Sequence, residues 1–336
     1  MSRRSFAKHT GIVSAVSLTG LAGCLGEDEG GNGDYPSDDI TWIIPFSQGG
    51  GTDVYAREMV QHLPDELGVN LAIENISGAA SLRGAGEMMQ SQPDGYTVAA
   101  YNPPSTPVSE MVTPQDYDLA EATGLGLFAS TPFVVVANPE HEIEDYGDLI
   151  DRYDNGELSN FSGKERGGVD HVMAKIMQNS HGLNWDQYVG YDGSGPAVEA
   201  TLSGEVPAAV STDTAAFSAV EDGGVDLVTV LAEGGSSVFP DEETITDQGY
   251  DEIDYIVELS RGMYAPPDTP EEVVEAWEGA LETVMTSDEM EQWSEETGNE
   301  ILFGTGEEAE EVVHEAYDEI PDAIDLDEVR EAEQEG

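Results

Sequence analysis

Short apolar runs alternate along this chain with segments whose apolar positions fall three or four residues apart. Ile40, Trp42, Ile43 and Ile44 form the first run, a strand ended by Pro45, and Ala56, Met59, Val60 and Leu63 then share one helical face. A strand over Val69–Ile73, a helix with Leu82, Ala85 and Met89 inward, a Pro93-Asp94-Gly95 turn and a strand over Tyr96–Ala100 follow. A further helix comes after Asn102-Pro103-Pro104-Ser105. Phe133–Ala137 begins a second set: a helix at Asp145–Tyr153, a strand at Leu158–Phe161, and a helix capped by Asp170 with Val172, Met173, Ile176 and Met177 inward. Strands at Tyr188–Tyr191, Val206–Val210 and Val225–Leu231 continue it. Strands at Ile253–Val257 and Met263–Ala265, with Ser260-Arg261-Gly262 as the loop between them, lead to a long helix, Glu271–Thr286, striped by Val273, Trp277, Ala280, Leu281 and Val284. Ile301–Phe303 and a helix at Glu307–Ile320 close the pattern, and Asp325–Gly336 reads as a solvated acidic tail. Alternating strands and helices of this length predict an α/β protein with largely parallel sheets and room for two domains.

The strand-to-helix junctions are unusually rich in small residues. Ser47–Thr52, Asn75–Ala80, Ser162–Asp170, Asp192–Pro196 and Ser211–Asp213 each follow a strand and open a helix. At such a junction the first helical N–H groups lack partners and the positive end of the helix dipole points outward. Taken alone, Ile40–Arg57 is either a plain turn with Thr52 and Asp53 as caps or an anion seat. Five such loops in phase, all at the carboxyl ends of strands, favour an anionic ligand. No Gly-Lys-Ser/Thr follows the Gly49–Gly51 run, and its spacing does not fit a dinucleotide fingerprint.

The amino terminus changes the picture of where this happens. Ser2-Arg3-Arg4-Ser5-Phe6-Ala7-Lys8 has the form of a twin-arginine export signal, and Gly11–Ala22 is too short to span a bilayer. Leu21-Ala22-Gly23-Cys24 resembles a lipobox, which predicts cleavage before Cys24 and lipid attachment to it. Leu25–Asp39 is a charged, glycine-rich tether. Cys24 is the sole cysteine, so the domain beyond it has no disulfide and no thiol chemistry.

Charge then narrows the partners. The chain carries 11 basic and 70 acidic residues, net −59 at pH 7. Three of the basic residues precede Cys24, so processing leaves eight. Nucleic acid is excluded as a partner by the lack of a basic patch. An acidity of this size is expected on a protein that works in brine, where screening shrinks to about 3 Å at molar salt. Lys164, Arg166 and Arg261 stand in predicted strand-end loops, where an arginine can grip a carboxylate through two parallel bonds.

With these motifs in view, the chain resembles the substrate-binding proteins of tripartite tricarboxylate transporters, the Bug receptors. The resemblance rests on Pro45-Phe46-Ser47-Gln48-Gly49-Gly50-Gly51-Thr52-Asp53 with Ala56-Arg57, on Glu74-Asn75 with Gly78-Ala79, and on Pro93-Asp94-Gly95-Tyr96-Thr97. Tyr191-Asp192-Gly193-Ser194-Gly195-Pro196-Ala197, Ala265-Pro266 and Thr269-Pro270 continue it. It implies a type II, periplasmic-binding-protein-like Venus flytrap, monomeric and without cofactor or metal. Lobe one would span 40–131 and 254–324, and lobe two 132–253. The implied ligand is a small carboxylate, and the implied partners are a two-component permease and, through Cys24, the outer face of the cell membrane. Carried over by position, the first carboxylate site comprises Phe46, Ser47, Gly49, Gly50, Thr52 and Asp53, with Ser105 nearby. The opposing lobe offers Ser162, Gly163, His171, Gly193, Ser194, Gly195 and Asp213. The sequence departs from the family at Lys164-Glu165-Arg166 and at Ser260-Arg261. Both departures add cations and favour a di- or tricarboxylate, with Arg261 as a contact.

Other readings have less to stand on. Ser162, His171 and Asp213 are the one hydrolase trio that can be assembled, without a Gly-x-Ser-x-Gly elbow around the serine. His62, His141, His171, His181 and His314 are too scattered for a metal motif. A sensory receptor that reports its ligand to a signalling partner, and a scavenging lipoprotein with no permease, share the same fold and remain alternatives to transport.

Overall fold

The computed structural model describes residues 35–334; the export signal, Cys24 and most of the tether lie outside them. Its strands are β1 (Ile40–Ile44), β2 (Leu71–Asn75), β3 (Thr97–Tyr101), β4 (Thr123–Ala129), β5 (Phe133–Ala137), β6 (Asn160–Lys164), β7 (Gln187–Tyr191), β8 (Ala208–Thr212), β9 (Asp226–Val230) and β10 (Arg261–Ala265). They form two five-stranded sheets, ordered β2-β1-β3-β10-β4 and β7-β6-β8-β5-β9. In each sheet three neighbouring strands pair in parallel, as the alternation of strands and helices predicts, and one reversed strand, β10 or β5, joins them to an edge strand, β4 or β9, by antiparallel pairing on both sides. The sheets are therefore mixed. The reversed strands are the ones by which the chain enters each lobe at a crossing: β4 passes into β5 through Ser130–Pro132, and the chain returns through Glu258–Ser260 into β10.

The period-two pattern sets the layers. Trp42 and Ile44 of β1 pack into one cluster with Met59, Trp277 and Leu281, while Ile43 faces the other side with Tyr101, Tyr264 and Val313. The Tyr101 and Tyr264 rings stack at 3.8 Å between centroids. In the second sheet Phe133 and Val135 face Tyr146, Phe161 and Met173, and Val134 and Val136 face Ala197 and Ala216. No helix among the described residues is long and apolar enough to cross a membrane.

Several elements differ from the sequence pattern. β4 lacks a clear apolar run because Gly124 and Gly126 interrupt it, and those glycines answer to packing. A Cβ on Gly124 would stand 2.2 Å from the carbonyl oxygen of Gly306, where the helix Gly306–Ala323 begins against the strand. Ile253–Val257 reads as a strand but is a single helical turn, Asp254–Val257, because Ile253, Ile256 and Val257 are buried at helical rather than alternate spacing. Ile301–Phe303 is not a regular strand; it meets β4 through a bond from Leu302 N to Phe128 O and an isolated bridge at Gly304. A helix at Asp288–Thr297, capped by Ser287, has too few apolar positions to have been marked by period.

The largest correction is at the carboxyl end. The expected solvated tail contains a helix, Leu326–Gln334, whose Val329 is fully buried in the second lobe's core with Ile320 and Ile324. Arg330 donates to the carbonyl of Met111 at 2.6 Å, and Lys175 meets Glu328 at 3.5 Å. A single valine and one arginine among acidic residues leave too weak a period to identify the helix, yet both are held by tertiary contact. Val329→Ala is expected to cost about 2 kcal/mol in denaturant titrations at molar salt. A solvated tail would show no change.

Candidate functional site

Because β1, β2 and β3 run parallel, the loops after them open on one edge of the first sheet. β10 runs against β3 with Gly262 opposite Tyr101, so Arg261 stands on that same edge. In the second sheet β6, β7 and β8 also share an edge, and Phe133 at the start of β5 pairs with Thr212 at the end of β8. The two edges are joined at the crossing strands. Thr131 N donates to Leu259 O at 3.1 Å and Leu259 N to Thr131 O at 2.9 Å.

On the first lobe the loop Pro45–Gly50 closes through Gly50 N to Ser47 O, with Gly49 at a left-handed φ of 82°. The helix Gly51–Met59 is capped by Gly50 rather than by Thr52 or Asp53, both of which lie in its first turn. Asp53 is instead an internal strut. Its carboxylate receives Gly49 N at 2.7 Å, Arg57 Nε at 2.7 Å and Asn75 Nδ2 at 2.8 Å. Burial alone would raise this carboxyl, but those hydrogen bonds and the Arg57 charge outweigh it and hold the group below its usual range. Thr52 exchanges hydrogen bonds with Asn102, whose backbone N–H donates to Thr106 Oγ1, so the loops after β1 and β3 are locked together. What remains for a ligand is backbone. Val54 N is the first helical N–H with an acceptor, which leaves those of Gly51, Thr52 and Asp53 without an intrahelical partner. Phe46 is half-buried, Ser47 and Gly49 are exposed, and Ser105 opens the helix after β3.

The second lobe repeats the device. Asp170, fully buried in the first turn of the helix Val169–His181, receives Lys164 N at 2.9 Å, while its other oxygen has no partner. Gly163 is required by packing, since a Cβ there would stand 2.5 Å from Tyr188 Oη. Ser162 is turned into the sheet and donates to Ala208 O. His171 accepts Gly167 N at its Nδ1, with its ring 4.5 Å from that of Tyr188. Burial, helped by the nearby Lys175 and Arg166 charges, lowers it to about 4. Gly193, at φ 113°, and Gly195 flank Ser194, whose buried hydroxyl has no partner. Asp213 begins the helix Asp213–Glu221, where it receives Thr214 N and, at 2.6 Å, Ser236 Oγ. Ser162, His171 and Asp213 are thus each engaged elsewhere and not with one another, so the hydrolase arrangement is not assembled.

Arg261 stands between the jaws. It is the first residue of β10 rather than part of a loop, and only 9% of it is exposed. Its guanidinium donates to Thr131 Oγ1 at 2.6 Å, lies over the Tyr55 ring at 5.2 Å, and has one terminal nitrogen 3.5 Å from where a Gly51 Cβ would be. Its Nε is buried without an acceptor. Burial lowers its pKa, and the neighbouring Tyr55 and Asp213 oppose that shift. Lys164 and Arg166 are not brought to this point by any hydrogen bond: Arg166 donates to the Tyr188 carbonyl, and the Lys164 charge lies beside Asp170. Thr131, Tyr55 and Ser236 complete the centre and were not singled out in the sequence. Ser236 carried a signal, since Gly234-Gly235-Ser236-Ser237 follows a strand as the other small-residue loops do, but no helix follows it.

A family model described as tripartite tricarboxylate transporter family receptor matches residues 55–324. The chain is similar to protein BugT of Bordetella pertussis, 28% identical over 243 residues that cover 71% of this chain and 72% of BugT. Its fold is similar to that of a TctC solute binding protein from Polaromonas (TM-score 0.75, 19% identity, 86% of this chain and 98% of that one). It is also similar to MatC from Rhodopseudomonas palustris with bound malate (TM-score 0.69, 22% identity, 87% and 100%).

Two outcomes follow from the struts. Asp53→Ala is expected to lower stability by about 2–3 kcal/mol, read by denaturant titration, because Gly49, Asn75 and Arg57 lose a shared acceptor. His171 has a folded pKa below its unfolded value of about 6.5. The unfolded chain therefore takes up the proton first, and stability falls as pH drops from about 6.5 towards 4. Compared with His171→Asn, the natural protein is expected to lose roughly 1–2 kcal/mol more between pH 7 and 5 in matched melts.

Proposed function

The chain belongs to the tripartite tricarboxylate transporter receptor family, and on that premise we propose that it captures a small carboxylate between its lobes outside the cytoplasm and delivers it to a two-component permease. The observation that carries the ligand class is Arg261. A buried guanidinium with an unpaired Nε, facing the start of the helix Gly51–Met59, is an incomplete anion site. A ligand carboxylate at that point takes the Arg261 nitrogen on one side and the Gly51 and Thr52 N–H groups on the other, where the helix dipole adds to the attraction. Malate bound in the similarly folded MatC supports a carboxylate of a few carbons.

Closure follows from the same geometry. Asp213, whose charge acts on Arg261, approaches from the second lobe, and the crossing strands at Thr131 and Leu259 are short enough to serve as a hinge. A ligand held by both lobes stabilises the closed form, which is the form a permease would recognise. Anchoring through Cys24 would keep the receptor at the membrane; that residue lies outside the described part of the chain. The ligand in this reading is a di- or tricarboxylate with one carboxylate at Arg261; Arg166 is tied to its own lobe through the Tyr188 carbonyl, and the Lys164 charge acts on Asp170.

Binding is tested by calorimetry with a panel of small carboxylates in molar potassium chloride. Arg261→Lys keeps the charge but loses the planar fork, and is expected to weaken the carboxylates that bind by roughly tenfold or more. Unchanged affinities in that variant would overturn the assignment.

A further inference from the structure

Each lobe keeps one buried charge close to the crossing strands, Arg261 on the first and Asp213 on the second. Arg261, the first residue of β10, pairs with Ala129 at the end of β4, so it stands where that ladder runs out into Ser130–Pro132. Among the described residues its guanidinium makes one hydrogen bond, from Nη1 to Thr131 Oγ1 at 2.6 Å. Thr131 is 3% exposed, and Leu259 takes both its N–H and its carbonyl, so backbone fixes the residue that carries this hydroxyl. The next residue serves the other lobe. Pro132 O accepts Asp213 N at 3.0 Å, which hangs the start of the helix Asp213–Glu221 one residue along from the group that holds the guanidinium.

Opposite charges this near to each other and away from water attract strongly. Yet among the described residues no ion pair joins Arg261 to Asp213, although each favours the other's charge through space. Asp213 spends its carboxylate on Thr214 N and, at 2.6 Å, on Ser236 Oγ. Arg261 lies instead over the Tyr55 ring of its own lobe, 5.2 Å away, and the Tyr55 hydroxyl is fixed to the Glu300 carbonyl. A ring face attracts a cation but does not set its direction within the plane. The directional contact is the Thr131 hydroxyl.

An ion pair between Arg261 and Asp213 would harm a receptor in two ways. It would occupy the guanidinium with a protein carboxylate in place of the ligand's, and it would tie one lobe to the other with no ligand present. A closed form that is populated without ligand leaves the ligand little difference between states to act on. We propose that Thr131 is a positioning residue for ligand capture: its hydroxyl holds the Arg261 guanidinium over Tyr55 and off Asp213, so that the cation stays open to a ligand carboxylate and the lobes do not close without one. This rests on the carboxylate reading above and assigns the residue that keeps its cation available.

The experiment compares the mature receptor with Thr131→Val, which keeps the β-branched shape but not the hydroxyl, and with Thr131→Ser, which keeps the hydroxyl. Crystal structures without ligand give the first reading. In Thr131→Val the guanidinium is expected to swing to hydrogen-bond distance of the Asp213 carboxylate, and in Thr131→Ser to stay over Tyr55. Calorimetry in molar potassium chloride with malate, citrate and straight-chain dicarboxylates of three to six carbons gives the second. Thr131→Val is expected to weaken the acids that bind by roughly tenfold, and Thr131→Ser by less than about twofold. In an Asp213→Asn background the loss from Thr131→Val is expected to shrink towards none. Thr131→Ala, with the same expectations, stands in if the valine variant does not fold. A guanidinium that stays over Tyr55 in Thr131→Val, or a loss of the same size in both backgrounds, overturns the positioning role and leaves the carboxylate receptor standing. Failure of every acid to bind the natural receptor overturns the carboxylate reading, and the crystal structures then decide the role of Thr131 by themselves.

Discussion

A positive charge withheld from water at the crossing of two lobes is the condition to which the rest of this molecule conforms. Removing a guanidinium from solvent costs several kcal/mol unless acceptors replace the lost water. Arg261 receives one hydroxyl, one aromatic face and the field of Asp213, and its Nε is left over. The protein tolerates that deficit because the surroundings are rigid. Thr131, which holds the guanidinium, is itself fixed by paired backbone bonds to Leu259.

Rigidity on either side comes from aspartates that resemble helix caps in sequence but act differently. Asp53 and Asp170 each sit in a first helical turn and reach back to an N–H of the loop that precedes the helix. The chain's path into the helix is thereby fixed from inside. Side chains that looked like ligand contacts, those of Asp53, Thr52, Ser162 and His171, are used up in this work. Among the described residues, a few buried polar atoms keep no partner, Arg261 Nε and Ser194 Oγ among them. Such a division suits a receptor: preorganised backbone supplies attraction at low entropic cost, and a few side chains supply selectivity.

Most of the frame was legible because burial imposes period. β1 and the helix Glu271–Met285 match the pattern of their apolar positions, and Trp42 and Trp277 are core. Where the period is ambiguous, local pattern does not decide the element. Ile253–Val257 fits both a strand and one helical turn, and the choice fell to the short crossing into β10. β4 hides its period behind glycines demanded by a helix about 180 residues away, a spacing no local signal reports. The terminal helix depends on one valine docking into the second lobe's core.

Local sequence alone determined that strands run into glycine loops that open helices, and hence that backbone donors would gather at the carboxyl edges of the sheets. That much follows from nearest-neighbour chemistry: chain direction, helix capping and the freedom of glycine. Tertiary structure decided the sign and shape of what those donors face. Arg261, Thr131, Asp213, Ser236 and Glu300 are far apart in the chain and meet only because two sheets join edge to edge. Electrostatic interactions act through space and depend on burial, so which of the chain's many acids matter, and which few cations answer them, was settled by folding.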